Sequence, residues 1–184
     1  MYYYLVASLP SLVQGEPPLF TPEDYRFKCQ GVLTEEHRAE LDRIIEGRLD
    51  ELRTPFGQRW RDIETEIRNG AARVRAGREG IDESPYIEPV TACCVSIEHD
   101  VEHALSSGNP MEQEFALDRV RWKAVEELEG QDPFGLAPAL GYAVKLRIAK
   151  RWADLSEEEG RKRVDTFVDT STQEIMEAYK VEGL

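Results

Sequence analysis

The sequence is poor in cysteine, histidine and tryptophan, with three of each among 184 residues. Cys29, Cys93 and Cys94 are odd in number, and the adjacent pair is badly placed to bridge to itself, so no disulfide framework is implied. Reduced thiols in a cytosol fit best. Positive charge is also in deficit: 23 Lys and Arg face 36 Asp and Glu, a formal charge of -13. Such a chain repels nucleic acid and anionic lipid unless its cations are segregated, so neither is expected as a main partner. No apolar run reaches transmembrane length, and the opening MYYYLVASLP has no basic n-region, so a cytoplasmic protein is expected. Gly-rich phosphate loops, Ser/His/Asp sets and C-x-x-C pairs are missing too, which leaves no catalytic constellation and no cofactor.

What is there is helical periodicity. Leu136, Leu140, Val144 and Ile148 recur at helical spacing, and Ala137, Ala143, Leu146, Ala149 and Trp152 widen that stripe. A helix apolar over most of its circumference is enclosed by others, so residues 134–152 are expected at the centre, with Lys145, Arg147, Lys150 and Arg151 on the remaining face. Thr21-Pro22-Glu23-Asp24 reads as a cap, a proline at N1 and an acidic first turn, opening a short helix to about Cys29. Thr34 caps a helix whose stripe Leu41, Ile44, Ile45, Leu49, Leu52 opposes Arg38, Glu40, Asp42, Arg43 and Glu46 on the wet side, with Gly47 weakening it without ending it. Thr54-Pro55 opens the next, along Phe56, Trp60, Ile63, Ile67, Ala71 and Val74, closed by Gly77 and Gly80, and these two helices are expected to form an antiparallel hairpin.

After a loop over Asp82 to Pro89, Val90, Cys94, Ile97, Val101 and Leu105 make another stripe. Asn109-Pro110-Met111-Glu112 is a capping box, from which Met111, Phe115, Asp118, Trp122, Val125 and Leu128 run down one line, apolar except for Asp118. A last helix is expected from Ser156, carrying Val164, Phe167, Val168, Ile175, Met176 and Tyr179. For Met1 to Leu12, rich in Tyr and Val, helix is favoured over strand because no second strand offers itself for pairing. The class is therefore all-α, helical hairpins around a central apolar helix. One domain over 1–184 is expected, with helical subdomains at about 1–80 and 89–184 as an alternative.

Two patterns could carry chemistry. His99 and His103 stand at i and i+4, the spacing of a zinc helix, but Asp100 takes the place of the zincin glutamate and no third ligand is evident. The plainer reading is a solvated acidic helix face. Arg53, Arg59, Arg61, Arg68, Arg73, Arg75 and Arg78 form a local reversal of charge. Guanidinium forks there, Arg59, Arg68, Arg73, Arg75 and Arg78 above all, could grip carboxylates of a partner or phosphate, or pair within the chain.

The opening Tyr3-Tyr4-Leu5-Val6-Ala7-Ser8-Leu9-Pro10, Asp118-Arg119-Val120-Arg121-Trp122 leading through Glu127-Leu128-Glu129-Gly130 to Phe134, Tyr142-Ala143-Val144-Lys145-Leu146, and Arg151-Trp152 followed by Gly160 resemble a small bacterial family encoded beside V-type (A/V-type) ATPase subunits. Trp60-Arg61-Asp62, Arg68-Asn69, Arg73, Arg75 and Gly77 are similar to the helix pattern of the rotary ATPase C (or d) subunit, an all-helical funnel seating the central stalk on the rotor ring. The chain departs from that subunit in being much shorter and in having Gly70 to Ala72 where larger residues are usual. The resemblance implies a non-catalytic cytoplasmic subunit or accessory factor that binds no nucleotide, touches the membrane only through the complex, and has stalk and rotor-ring subunits as partners. An assembly chaperone for the same ATPase, or a metal-binding helical protein using His99 and His103, are the alternatives.

Overall fold

The computed structural model describes residues 2–90, 95–130, 133 and 135–155. Within them lie seven α-helices and no strand: α1 Tyr3–Ala7, α2 Pro22–Cys29, α3 Glu35–Glu46, α4 Pro55–Glu79, α5 Val95–Ala104, α6 Pro110–Gly130 and α7 Ala137–Asp154. The all-α expectation holds. No helix among the described residues is long and apolar enough to cross a membrane.

Local chemistry sets the helix ends. Thr21 and Asp24 form a reciprocal capping box on α2, and Thr34 and Thr54 accept hydrogen bonds from the first-turn amides of α3 and α4. Asn109 Oδ1 accepts from the Met111 amide at 3.0 Å at the start of α6. The N-terminal segment is helical: Leu5 is buried on α7, Tyr4 is exposed, and the Tyr2 hydroxyl meets His37 Nδ1 at 2.8 Å.

α7 is the centre. It packs on α1, α2, α3, α4 and α6 and buries ten residues from Pro138 to Ala149. A first apolar cluster surrounds it, contributed by Tyr25, Leu41, Ile44, Trp60, Val125, Leu140 and Leu146 among others. A second joins α4, α5 and α6 through Ile67, Ala71, Ile97, Val101, Leu105, Leu117 and Val120, and Ile63 packs against both. The expected helix from Ser156 to Tyr179, with Cys93, Cys94 and Phe134, lies outside the described residues.

Three expectations are corrected. Gly47 does end α3: at φ +76 it caps the helix in the left-handed conformation that glycine adopts without a Cβ penalty. Leu49 and Leu52 belong to a 3-10 turn and its cap rather than to α3. Nor do α3 and α4 pack as a hairpin; α3 lies on α7 and α2, while α4 lies chiefly on α5.

Glu40, expected on the wet side, is fully buried. It joins α3 to α4 end-on. Its carboxylate accepts from the Arg53 amide at 2.8 Å, the Thr54 amide at 2.8 Å, the Thr54 hydroxyl at 2.9 Å and Arg43 Nη1 at 3.1 Å. A carboxylate at a helix N-terminus satisfies amides that have no intrahelical partner. Burial pushes the Glu40 pKa up, but these donors together hold it below the ordinary value.

Candidate functional site: a cation-lined cleft around Asp118

Asp118 lies about two turns into α6, and is 1% exposed. An aspartate so deeply buried needs its charge matched and its oxygens satisfied. Oδ1 accepts from Arg121 Nη1 at 2.9 Å, three residues along the same helix. Oδ2 accepts from Trp152 Nε1 at 2.7 Å and from Arg151 Nη2, both from the last turn of α7. Arg121 in turn donates from Nε to Glu64 Oε1 of α4 at 2.8 Å. The chain Glu64, Arg121, Asp118, Arg151 with Trp152 thus fastens three helices by charge-assisted bonds. Burial lowers the Arg121 pKa, and the Glu64 and Asp118 carboxylates more than restore it, leaving it above the ordinary arginine value.

A cleft of about 480 Å³ opens over this network. Its walls include Arg68 and Glu64 of α4, Asp118 and Arg121 of α6, Arg147, Lys150, Arg151 and Asp154 of α7, and Gly47 and Leu49 beyond the end of α3. Five cations face three acids there, a local excess of two positive charges in a chain of formal charge -13. Arg121 and Arg151 are engaged by Asp118, and Lys150 by Asp154 at 2.5 Å. Arg68 is exposed and makes no ion pair among the described residues. Arg147 leaves part of its side chain in solvent while its guanidinium lies over Gly47, where a Cβ would come within 2.8 Å of Nη2. Its one printed polar contact among the described residues is a 3.5 Å approach to the Ile44 carbonyl. Burial of the group, with repulsion from Arg121 and Arg151 against attraction from Glu64 and Asp118, holds the Arg147 pKa below the ordinary value.

On the other side of the Asp118 network, Trp152 lines a larger hollow of about 810 Å³ with His103, Met111, Phe115, Arg119 and Lys123. Phe115 meets Trp152 edge-on at 5.0 Å between ring centroids, with Arg119 over the Phe115 ring and Arg151 over that of Trp152.

The structure distributes the arginine run around α4. Nine residues, two and a half turns, separate Arg59 from Arg68, so they lie on opposite sides of the helix. Arg73 bonds Glu98 at 3.0 Å, Arg75 approaches Glu114 at 3.6 Å, and Arg78 donates to the Leu105 carbonyl. Arg61 pairs with its neighbour Asp62 at 3.3 Å. Arg53, Arg59 and Arg68 are exposed without an ion pair among the described residues, and of the seven only Arg68 reaches the cleft. His99 and His103 are exposed on α5, and among the described residues no group of three potential ligands assembles.

Arg121, Arg147, Lys150 and Arg151 were missed as site residues. The signal that could have found them is Asp118 itself, an acid in an otherwise apolar line, read together with the four cations of α7.

Residues 99–175 match the model of a family described as a protein of unknown function (DUF2764). That span contains Asp118, Arg121, Arg147, Lys150 and Arg151, while Glu64 and Arg68 precede it. No curated protein and no solved structure matches the chain.

Proposed function

We propose that the chain is a non-catalytic helical subunit or accessory factor of a bacterial V-type ATPase, a C/d-like connector between central stalk and membrane rotor ring. It would sit at the inner face of the membrane through that complex. One observation carries most of the reading. The residues in which the sequence resembles the ATPase-linked family bond to one another: Asp118 with Arg121, Arg151 and Trp152, and Glu129 with Lys145 at 2.8 Å. They form one unit of α6 and α7 rather than scattered coincidences. Such a unit is architecture, suited to holding surfaces rigid for mechanical coupling.

Partner contact falls to what the unit displays: exposed arginines such as Arg59, and apolar side chains including Tyr4, Leu19 and Phe27, which stand in solvent. Exposed apolar groups of this size are suited to being covered by a partner. The test is affinity purification of the tagged chain from its native organism, with cross-linking of the membrane-associated fraction. Stalk and rotor-ring subunits in the eluate, cross-linked to this chain, are expected. A chain that never travels with the ATPase ends the reading, and one found only on subassemblies makes it an assembly chaperone.

A further inference from the structure

We propose that the cleft between the end of α3, α4, α6 and α7 is a binding site for a small-molecule phosphate monoester, its phosphate oxygens held by Arg68 and Arg147. The proposal is independent of the ATPase reading, because it rests on the chemistry of one hollow.

Charge comes first. The cleft carries two positive charges beyond what its own acids neutralise. A phosphate monoester carries about -1.5 to -2 at pH 7, as for a phosphorylated side chain. The -13 of the whole chain does not abolish this attraction. At physiological salt, charges more than about 8 Å away are largely screened, so the cations within the cleft decide the local potential.

Hydrogen-bonding capacity comes second. Arg121 and Arg151 spend donors on Asp118, and Lys150 on Asp154. Arg68 and Arg147, on different helices, retain theirs: the first has no ion pair among the described residues, and the second makes only its long approach to a backbone carbonyl. Two guanidinium forks converging from α4 and α7 match the several oxygens of a terminal phosphate better than the two of a lone carboxylate. The Gly47 position contributes by being small, since any side chain there would displace the Arg147 guanidinium.

Size and lining come third. About 480 Å³ lies within the range of small-molecule sites and is tight for a docked helix. Leu49, Val144 and Ile148 share the walls with the cations, so an apolar body attached to the phosphate has a surface to lie on. This favours an ester over inorganic phosphate.

Isothermal titration of the full-length chain at constant ionic strength, with phenyl phosphate, inorganic phosphate and phenol as probes, tests the assignment. Phenyl phosphate is expected to bind more tightly than inorganic phosphate, and phenol not to bind. Arg68→Ala should weaken phenyl phosphate at least about tenfold through loss of a charge-assisted contact. Arg68 is exposed and unpaired among the described residues, so that variant should melt as the parent does. Arg59→Ala, on the opposite side of α4, should bind like the parent. No heat from phenyl phosphate up to about 10 mM, an affinity too weak for a built site, would overturn the proposal. So would equal affinities for phenyl and inorganic phosphate, or equal weakening by the Arg59 and Arg68 substitutions, which would mean diffuse attraction.

Discussion

Replacing Asp118 by Asn tests whether the buried network holds α4, α6 and α7 together. Removing one partner from a buried ion pair costs about 3–5 kcal/mol, because the other charge is left uncompensated. Three features of the site pull the value to the lower end. Arg121 keeps its 2.8 Å bond to Glu64, the Arg151 side chain is 45% exposed and can rehydrate, and Asn retains an oxygen for the Trp152 N–H. A loss of about 3 kcal/mol is therefore expected, equivalent to a fall in Tm of roughly 6–12 °C for a chain of this size. Urea unfolding followed by far-UV circular dichroism and tryptophan fluorescence measures it. A double-mutant cycle then apportions it: coupling of Asp118 to the buried Arg121 should exceed about 1.5 kcal/mol, and coupling to half-exposed Arg151 should stay below about 1. If Asp118→Asn costs less than about 1 kcal/mol, the ordinary effect of an unremarkable substitution, the network does not fasten the helices.

Gly57→Ala should destabilise by about 1–2 kcal/mol in thermal unfolding, because overpacking outweighs the roughly 1 kcal/mol by which alanine favours a helix. A Cβ there would lie 2.3 Å from Glu40 Oε1 and 2.9 Å from Leu52 Cβ, and Glu40 is held in place by its own bonds. Glu40→Gln should cost roughly 2–3 kcal/mol at pH 7, since an amide cannot serve all four donors as a carboxylate does. Its folded pKa lies below the ordinary 4.5, so the parent's extra stability is full above that value and fades as pH falls below it. Chemical denaturation at pH 7 and pH 3 should show the difference between parent and variant shrinking, and a constant difference would refute the assignment. Tyr25→Phe should lose about 1 kcal/mol with its buried 2.8 Å bond to the Ala139 carbonyl. Tyr142→Phe should be neutral or stabilising in the same assay, because that buried hydroxyl has no hydrogen-bond partner among the described residues.

Helix positions were legible because local signals and packing agree. The Thr21 box, the Thr54-Pro55 start and the stripe of α7 each state in a few residues what the fold then uses. Glu40 was not legible, since its burial depends on where the chain returns after the 3-10 turn and on the amides that arrive there. Hydrophobic periodicity assigns a glutamate to water unless its tertiary partners are known. The same reason hid the cleft. Arg68 and Arg147 are 79 positions apart, and nothing in the spacing of either helix indicates that they share a wall. Conversely, the arginine run looked like a face in sequence because arginines are close in number, whereas helical geometry spreads them and half-exposed neighbours such as Glu98 and Glu114 occupy several.

These outcomes have one physical origin in the distribution of acids. An excess of carboxylates leaves most arginines with a partner within reach, and surface pairs of that kind are worth little, about 0–1 kcal/mol each. They set no architecture. The few acids taken out of water do, because an enclosed carboxylate must gather its donors or forfeit several kcal/mol. Glu40 gathers the start of α4, and Asp118 gathers α6 and the end of α7. Asp118 also fixes the cleft's chemistry: by engaging Arg121 and Arg151 it leaves Arg68 and Arg147 as the cations with donors to offer. An excess of acid over the chain as a whole and a positive hollow within it are therefore compatible, and the buried aspartate is what sorts the arginines between them.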